Sequence, residues 1–289
     1  MILIGLAAAL WATDPLFRAP AVQSISPIFI VLFEHIIGTF LLGAWVFFKN
    51  RKELTALSST SWLSLLLIGA GGSAVATVLF TASFKHINPS VAILLQKLQP
   101  IFVIVFAFLF LREKPSRSFW GWALVALLSA IAISFPDFKF DFLSNGIDWH
   151  SEGVLDALIA AGLWALSTVA GKSVVSKHPP GVVTFWRYFF GLVTLAALMA
   201  AGGENIPWDG MKEPKIYQAL LYIAFFPGIT ALVLYYNGLK KTSAVAATFV
   251  ELIFPISAVI LNWIFLHDPL APVQIIAGVI LIYSVTRIS

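Results

Sequence analysis

The chain of 289 residues is 60% hydrophobic and only 11% charged, where a typical soluble domain is about 25% charged; with a mean hydropathy of +0.92 this excludes a water-soluble globular protein. Cysteine is absent, which excludes a disulfide framework and a thiolate metal site. The formal charge is +4, but Lys and Arg sit at the ends of apolar runs, so the basic balance reports membrane topology and no nucleic-acid partner is expected.

A membrane-spanning helix needs about 20 apolar residues, and ten runs meet that need: 2–20, 27–48, 62–84, 89–111, 118–135, 153–175, 181–201, 216–238, 244–266 and 271–287. The first carries Trp11 and Asp14, with Pro15 opening the helix ladder beside the acid. It has no basic leader and is not expected to be a cleaved signal. The second carries Glu34 and His35, and the third the glycine-rich IGAGGS, which allows close helix approach. The fourth, SVAILLQKLQPIFVIVFAFLFL, places Lys97 between Gln96 and Gln99 with Pro100 behind it. After the fifth run comes the polar and aromatic stretch 136–150. The sixth carries Trp164, the seventh Arg187, and the eighth ends in Tyr235, Tyr236 and Asn237, read as interfacial belt or gate. The ninth carries Glu251 and Pro255. Pro100 and Pro255 each remove a backbone hydrogen bond and predict helix kinks.

With both termini cytoplasmic, eleven Lys and Arg fall on the inner side and five, Arg18 among them, on the outer side. That bias fits an even number of spans. The chain also repeats itself. ALWATDPLFRAPAVQSISPIFIVLFEHIIGTFLL from Ala9 aligns without a gap with GLWALSTVAGKSVVSKHPPGVVTFWRYFFGLVTL from Gly162, at an offset of 153. Trp11 meets Trp164, Glu34 meets Arg187 and Gly38 meets Gly191. FKHINPSVA aligns with GLKKTSAVA at offset 154, and Pro100 and Glu113 align with Pro255 and Asp268 at offset 155. Each repeat holds five helices, so the second enters the membrane from the opposite side, as in inverted-repeat secondary transporters. The expected fold is all-α: ten transmembrane helices as two inverted-topology repeats, 1–135 and 153–289, joined by an outer linker 136–152, around a central cavity.

These motifs carry a resemblance. The LW pairs of the first and sixth helices, NPSVAILLQKLQPIF with its FLFLREK ending, and TSAVAATFVELIFPISAVILNWIFLHDPL resemble the drug/metabolite transporter superfamily in its ten-helix EamA-type form. The resemblance covers essentially the whole chain. In that family each fourth helix runs through a mid-helix proline to an acidic residue just past its end; Glu113 and Asp268 stand there, the latter where Glu is usual. Fold and transport function are what the resemblance implies, with amino acids and other metabolites as the kind of cargo.

A central Asp, Lys or Arg costs about 2.5–3.5 kcal/mol on insertion scales, so the intramembrane charges are read as functional. Lys97, Gln96, Trp11, Trp164, Glu251 and Asp14 are the expected substrate-binding residues, the indoles by stacking on a ring or cation. Glu34, Arg187 and His35 are expected in gating or ion pairing. Glu34 or Asp14 is expected to pair with Lys97, and Arg187 with Glu251. The proline-anchored alignment sets Glu251 opposite Gln96. The function read from this is a secondary transporter, exporting or exchanging a small polar metabolite such as an amino acid by alternating access, with protons as candidate coupling ion. A membrane enzyme or a non-transporting sensor or assembly subunit is the alternative; the spread of buried charges over two depths and the duplicated repeat argue against both. No Walker-type loop or metal-binding motif is found, and no cofactor is expected. The chain is expected to be a monomer in a bacterial inner membrane.

Overall fold

A computed structural model describes residues 1–87, 89–137, 152–266 and 270–288. Most of the linker 136–152, and Asp268, lie outside the described residues. Among the described residues the fold is all-helical. The ten spans are α1 (Ile2–Ala21), α2 (Pro27–Lys49), α3 (Ser59–His86), α4 (Val91–Leu111), α5 (Arg117–Ser134), α6 (Glu152–Val175), α7 (Pro180–Gly202), α8 (Pro214–Leu239), α9 (Ala244–Leu261) and the shorter α10 (Pro272–Ile288). Nine of them, all but α10, are long and apolar enough to cross a membrane.

The starts of these helices are written locally. Ser26, Ser58, Ser116 and Ser243 each accept a hydrogen bond from the backbone N–H three residues on, satisfying a donor that the first turn leaves open. Pro27, Pro180 and Pro214 stand at the first helical position, where the missing N–H does no harm. Gly203, at φ +65°, ends α7 in the left-handed conformation that glycine adopts without strain.

The two repeats interlock. The most extensive helix contacts are α3 with α6, α1 with α8, α5 with α10, α4 with α6, α3 with α7 and α2 with α7, each joining one repeat to the other. Lipid gives little hydrophobic drive for helices to associate, so close packing at small residues matters more. The α2–α7 crossing shows this twice. A Cβ on Gly38 would lie 2.4 Å from the Tyr188 ring, and one on Gly191 would lie 2.5 Å from the His35 ring. These residues correspond at offset 153, so a single contact is made once in each direction.

The spans are broken where the halves meet. α1 turns at Ala12–Thr13, α4 at Lys97–Leu98 and α9 at Glu251–Leu252. At the α4 and α9 breaks the backbone tightens to i→i−3 bonds, from Leu98 to Leu95 and from Leu252 to Phe249. Pro15, Pro100 and Pro255 follow these breaks and cannot donate to the carbonyls of Trp11, Gln96 and Glu251. The helices are interrupted near the expected prolines, with the breaks lying two to four residues before them. The turns match Lys97 with Glu251 at offset 154, while the carbonyls left without a donor by the prolines match Gln96 with Glu251 at offset 155. α3 and α8 instead widen into π-helical segments, Leu67–Val75 and Ala224–Thr230.

Candidate functional site: a cavity between the repeats

Where α1 to α4 and α6 to α9 come together, the broken and widened segments border a cavity of about 160 Å³. Non-helical backbone at membrane depth is tolerated only where protein or a polar cavity meets it. All six expected substrate-binding residues line this space: Trp11, Asp14, Gln96, Lys97, Trp164 and Glu251. Glu34 and Arg187 line it as well, whereas His35 is 1% exposed and does not.

The indoles are fixed by a pair of equivalent bonds. Trp11 Nε1 donates to the carbonyl of Pro227 at 2.9 Å, and Trp164 Nε1 donates to the carbonyl of Gly72 at 2.9 Å. Both acceptors lie in the π segments of the opposite repeat. Trp11 then leans on Tyr235 with ring centroids 5.3 Å apart, and Trp164 on Phe80 at 5.0 Å. Each indole thus lines the cavity while clasping the third helix of the other half.

The charge pairing differs from expectation. Arg18, counted from the sequence on the outer surface, is 4% exposed. It is bonded to both oxygens of Asp14, to Glu34 Oε2 at 3.2 Å and to Thr81 Oγ1 at 3.3 Å. Asp14 and Glu34 therefore pair with Arg18 and not with Lys97. The sequence holds a clue, since Asp14 and Arg18 are four residues apart on one helix face. Lys97 instead places Nζ 3.9 Å from the centre of the Phe254 ring, a cation–π contact.

Arg187 donates from Nε to Ser73 Oγ and from Nη1 to the Tyr236 hydroxyl, each at 3.1 Å. Among the described residues it makes no ion pair with Glu251 or any other carboxylate. Glu251 Oε2 accepts from Gln99 Nε2 at 3.4 Å, a long bond, and its buried Oε1 accepts none from the described residues.

His35 is buried and hydrogen-bonded within the protein. Its Nδ1 donates to the Val31 carbonyl at 2.7 Å, which leaves Nε2 to accept from Ser73 Oγ at 2.8 Å. That Ser73 oxygen is the one receiving Arg187, so His35 orients the group that holds the guanidinium and forms no ion pair itself among the described residues.

Tyr235 and Tyr236 are 3% and 1% exposed, so neither belongs to an interfacial belt. Tyr235 lines the cavity and bonds Thr168, and Asn237 turns back on the Val233 carbonyl. Their aromatic type near a helix end pointed to the membrane surface. Alignment with Phe80 and Thr81 at offset 155 would have pointed inward. Away from the cavity, Glu113 accepts from the backbone N–H groups of Ala244 and Val245 at 2.9 and 3.1 Å. The carboxylate past the end of α4 thus caps the first turn of α9, where the helix dipole favours negative charge.

A duplicated, interlocked helical unit closed around a polar cavity, with broken helices meeting at it, defines the architecture of a membrane transporter. Two stretches, 1–135 and 151–289, match the EamA-like transporter family, and the chain belongs to that family. It is 30% identical to the riboflavin transporter ImpX of Fusobacterium nucleatum, over all of this chain and 96% of that one. It is 25% identical to the pseudopaline exporter CntI of Pseudomonas aeruginosa, over 90% of this chain and 85% of that one. A solved crystal structure superimposes with a TM-score of 0.75 at 19% identity, covering 98% of this chain and 94% of that chain, which shows the shared fold.

Proposed function

We propose that the protein is a secondary transporter that carries a small polar metabolite through the cavity by alternating access, with riboflavin as the first cargo to test. The observation that carries the reading is the cavity itself. It lies between inverted halves, is framed by helix breaks in α1, α4 and α9, and is lined by two indoles, Tyr235 and an excess of hydrogen-bonding groups. A relative named a riboflavin transporter aligns over the whole chain, and a flat heteroaromatic ring suits the aromatic lining.

The cavity is smaller than the roughly 300–1,000 Å³ usual for ligand pockets. On this reading it is the contracted form of the site, and seating a flavin requires the helices clasped by Trp11 and Trp164 to part. Export or exchange is proposed, with protons as coupling ion and Glu251 as the carboxylate that carries them. Both termini are placed on the cytoplasmic side of the inner membrane. With Arg18 buried, the basic count becomes eleven inside to four outside. The chain is proposed to act as a monomer.

A second reading, a zwitterionic amino acid, is favoured by one observation. Lys97 and Arg187 have no carboxylate within 4 Å among the described residues, and Glu251 keeps an oxygen without a close hydrogen bond, which suits an ammonium group. Reconstituted protein assayed for uptake of riboflavin and of aromatic amino acids, with and without a pH gradient, separates the two. Riboflavin flux that falls with Lys97→Ala and Glu251→Gln supports the first reading and the site; flux unchanged by both variants removes the site.

A further inference from the structure

Six charged side chains line the cavity: Asp14, Arg18, Glu34, Lys97, Arg187 and Glu251. Three satisfy one another, since Arg18 bonds both carboxylates of its cluster. The other three make no close ion pair among the described residues. Arg187 is bonded to neutral hydroxyls and Lys97 rests on the Phe254 ring, with no carboxylate within 4 Å of either among the described residues; Glu251 Oε1 is buried and makes no close hydrogen bond, with the Tyr235 hydroxyl, Lys97 and Arg187 acting on the carboxyl at longer range. Lys97 and Glu251 stand at corresponding helix breaks, one on each repeat. Buried charged groups with unmade hydrogen bonds are costly, and in a site that admits cargo they describe what the cargo must supply. Here it must supply acceptors for two cations and a donor for one carboxylate oxygen.

An imide has that pattern: an N–H set between two carbonyl oxygens. The isoalloxazine ring of a flavin carries one at its N3 edge. We propose that the cargo docks in this cavity through an imide edge, with its N–H donating to Glu251 Oε1 and its carbonyl oxygens accepting from Lys97 and Arg187. The proposal rests on the flavin reading above and deepens it, because it names the edge that is read. The ring body then faces Trp11, Trp164 and Tyr235, while the ribityl chain makes no demand on the charged groups.

The test compares riboflavin with 3-methylriboflavin, in which the imide N–H is replaced by N–CH3. Binding of each is titrated on purified full-length protein by flavin fluorescence, for the unaltered chain and for Glu251→Leu. The unaltered chain is expected to bind the methylated flavin about 10- to 100-fold more weakly, and Glu251→Leu to bind the two within about threefold of each other. Should Glu251→Leu fail to fold, Glu251→Gln serves. It keeps an acceptor oxygen without the charge, and the methylation penalty should shrink without vanishing. A penalty unchanged in either variant means the methyl group is excluded by shape and overturns the proposal. Equal binding of both flavins by the unaltered chain, with riboflavin still transported, also overturns it and leaves the transport reading standing. Absence of riboflavin uptake overturns both, and displacement of riboflavin by L-tryptophan at lower concentration transfers the site to the zwitterion.

Discussion

At one helix position the first repeat carries Glu34 and the second Arg187, and around each a cluster of three corresponds almost residue for residue. In the first repeat Arg18, Glu34 and Thr81 are joined by hydrogen bonds. The corresponding residues of the second are Gly171, Arg187 and Tyr236, at offsets of 153, 153 and 155. There the Tyr236 hydroxyl takes a bond from Arg187, and its ring crowds Gly171 so closely that an added Cβ would lie 2.9 Å away. The backbone devices are duplicated: the indole-to-carbonyl clasps, the π segments, the fourth-helix breaks and the glycine crossings. The charges are not. Repetition of the scaffold is what lets two halves exchange roles, while the unmatched charges give one cavity a single chemical character.

The sharpest way to break this comparison is to remove each arginine. Arg18→Met strands the buried carboxylate of Glu34 and the partly buried one of Asp14, and breaking a buried pair from one side costs about 3–5 kcal/mol. A large drop in thermal midpoint in detergent is expected, with recovery when Asp14→Asn and Glu34→Gln are added. Arg187→Met removes a cation that pairs with no carboxylate among the described residues. Its midpoint should fall far less while cargo affinity drops. If the two arginines cost the same stability, the distinction between a structural and a cargo-facing cation is lost.

The duplicated features should respond in pairs. Gly38→Ala and Gly191→Ala each press a Cβ into a ring, of Tyr188 and His35 respectively. Overpacking of this kind costs about 1–3 kcal/mol, and the two losses should be similar. Trp11→Phe and Trp164→Phe each delete one hydrogen bond while keeping most of the ring. Each should cost about 1 kcal/mol and slow cargo flux comparably, read as the initial rate of uptake into liposomes. The smallest effect is expected at Glu113→Ala, which removes the cap on α9 and about 1 kcal/mol or less of stability.

Much of this was legible in the sequence. The ten spans followed from apolar run length, and the duplication from the near-constant offset that matched Gly38 to Gly191. All six residues expected to bind cargo line the cavity. The pairing of charges was not legible, because run length and topology say how deep a residue lies but not which way its side chain reaches. Arg18 is the clearest case: it sits near the end of a run, where arginines ordinarily reach the interface, yet here it turns back along its own helix to Asp14 and across to Glu34. Tyr236 was misplaced for the related reason that aromatics near helix ends usually mark the membrane surface. The α4 and α9 breaks fall before the prolines, since a proline leaves without a donor the carbonyl four residues earlier, that of Gln96 in α4 and of Glu251 in α9.

The absence of cysteine permits a direct test of access. Thr77→Cys places a single thiol on the cavity wall, to be labelled in oriented membranes with an impermeant maleimide applied from one side or the other. Alternating access predicts labelling from both sides, suppressed by saturating riboflavin. Labelling from one side only, or labelling that cargo does not alter, would contradict a cavity that opens in turn to each face of the membrane.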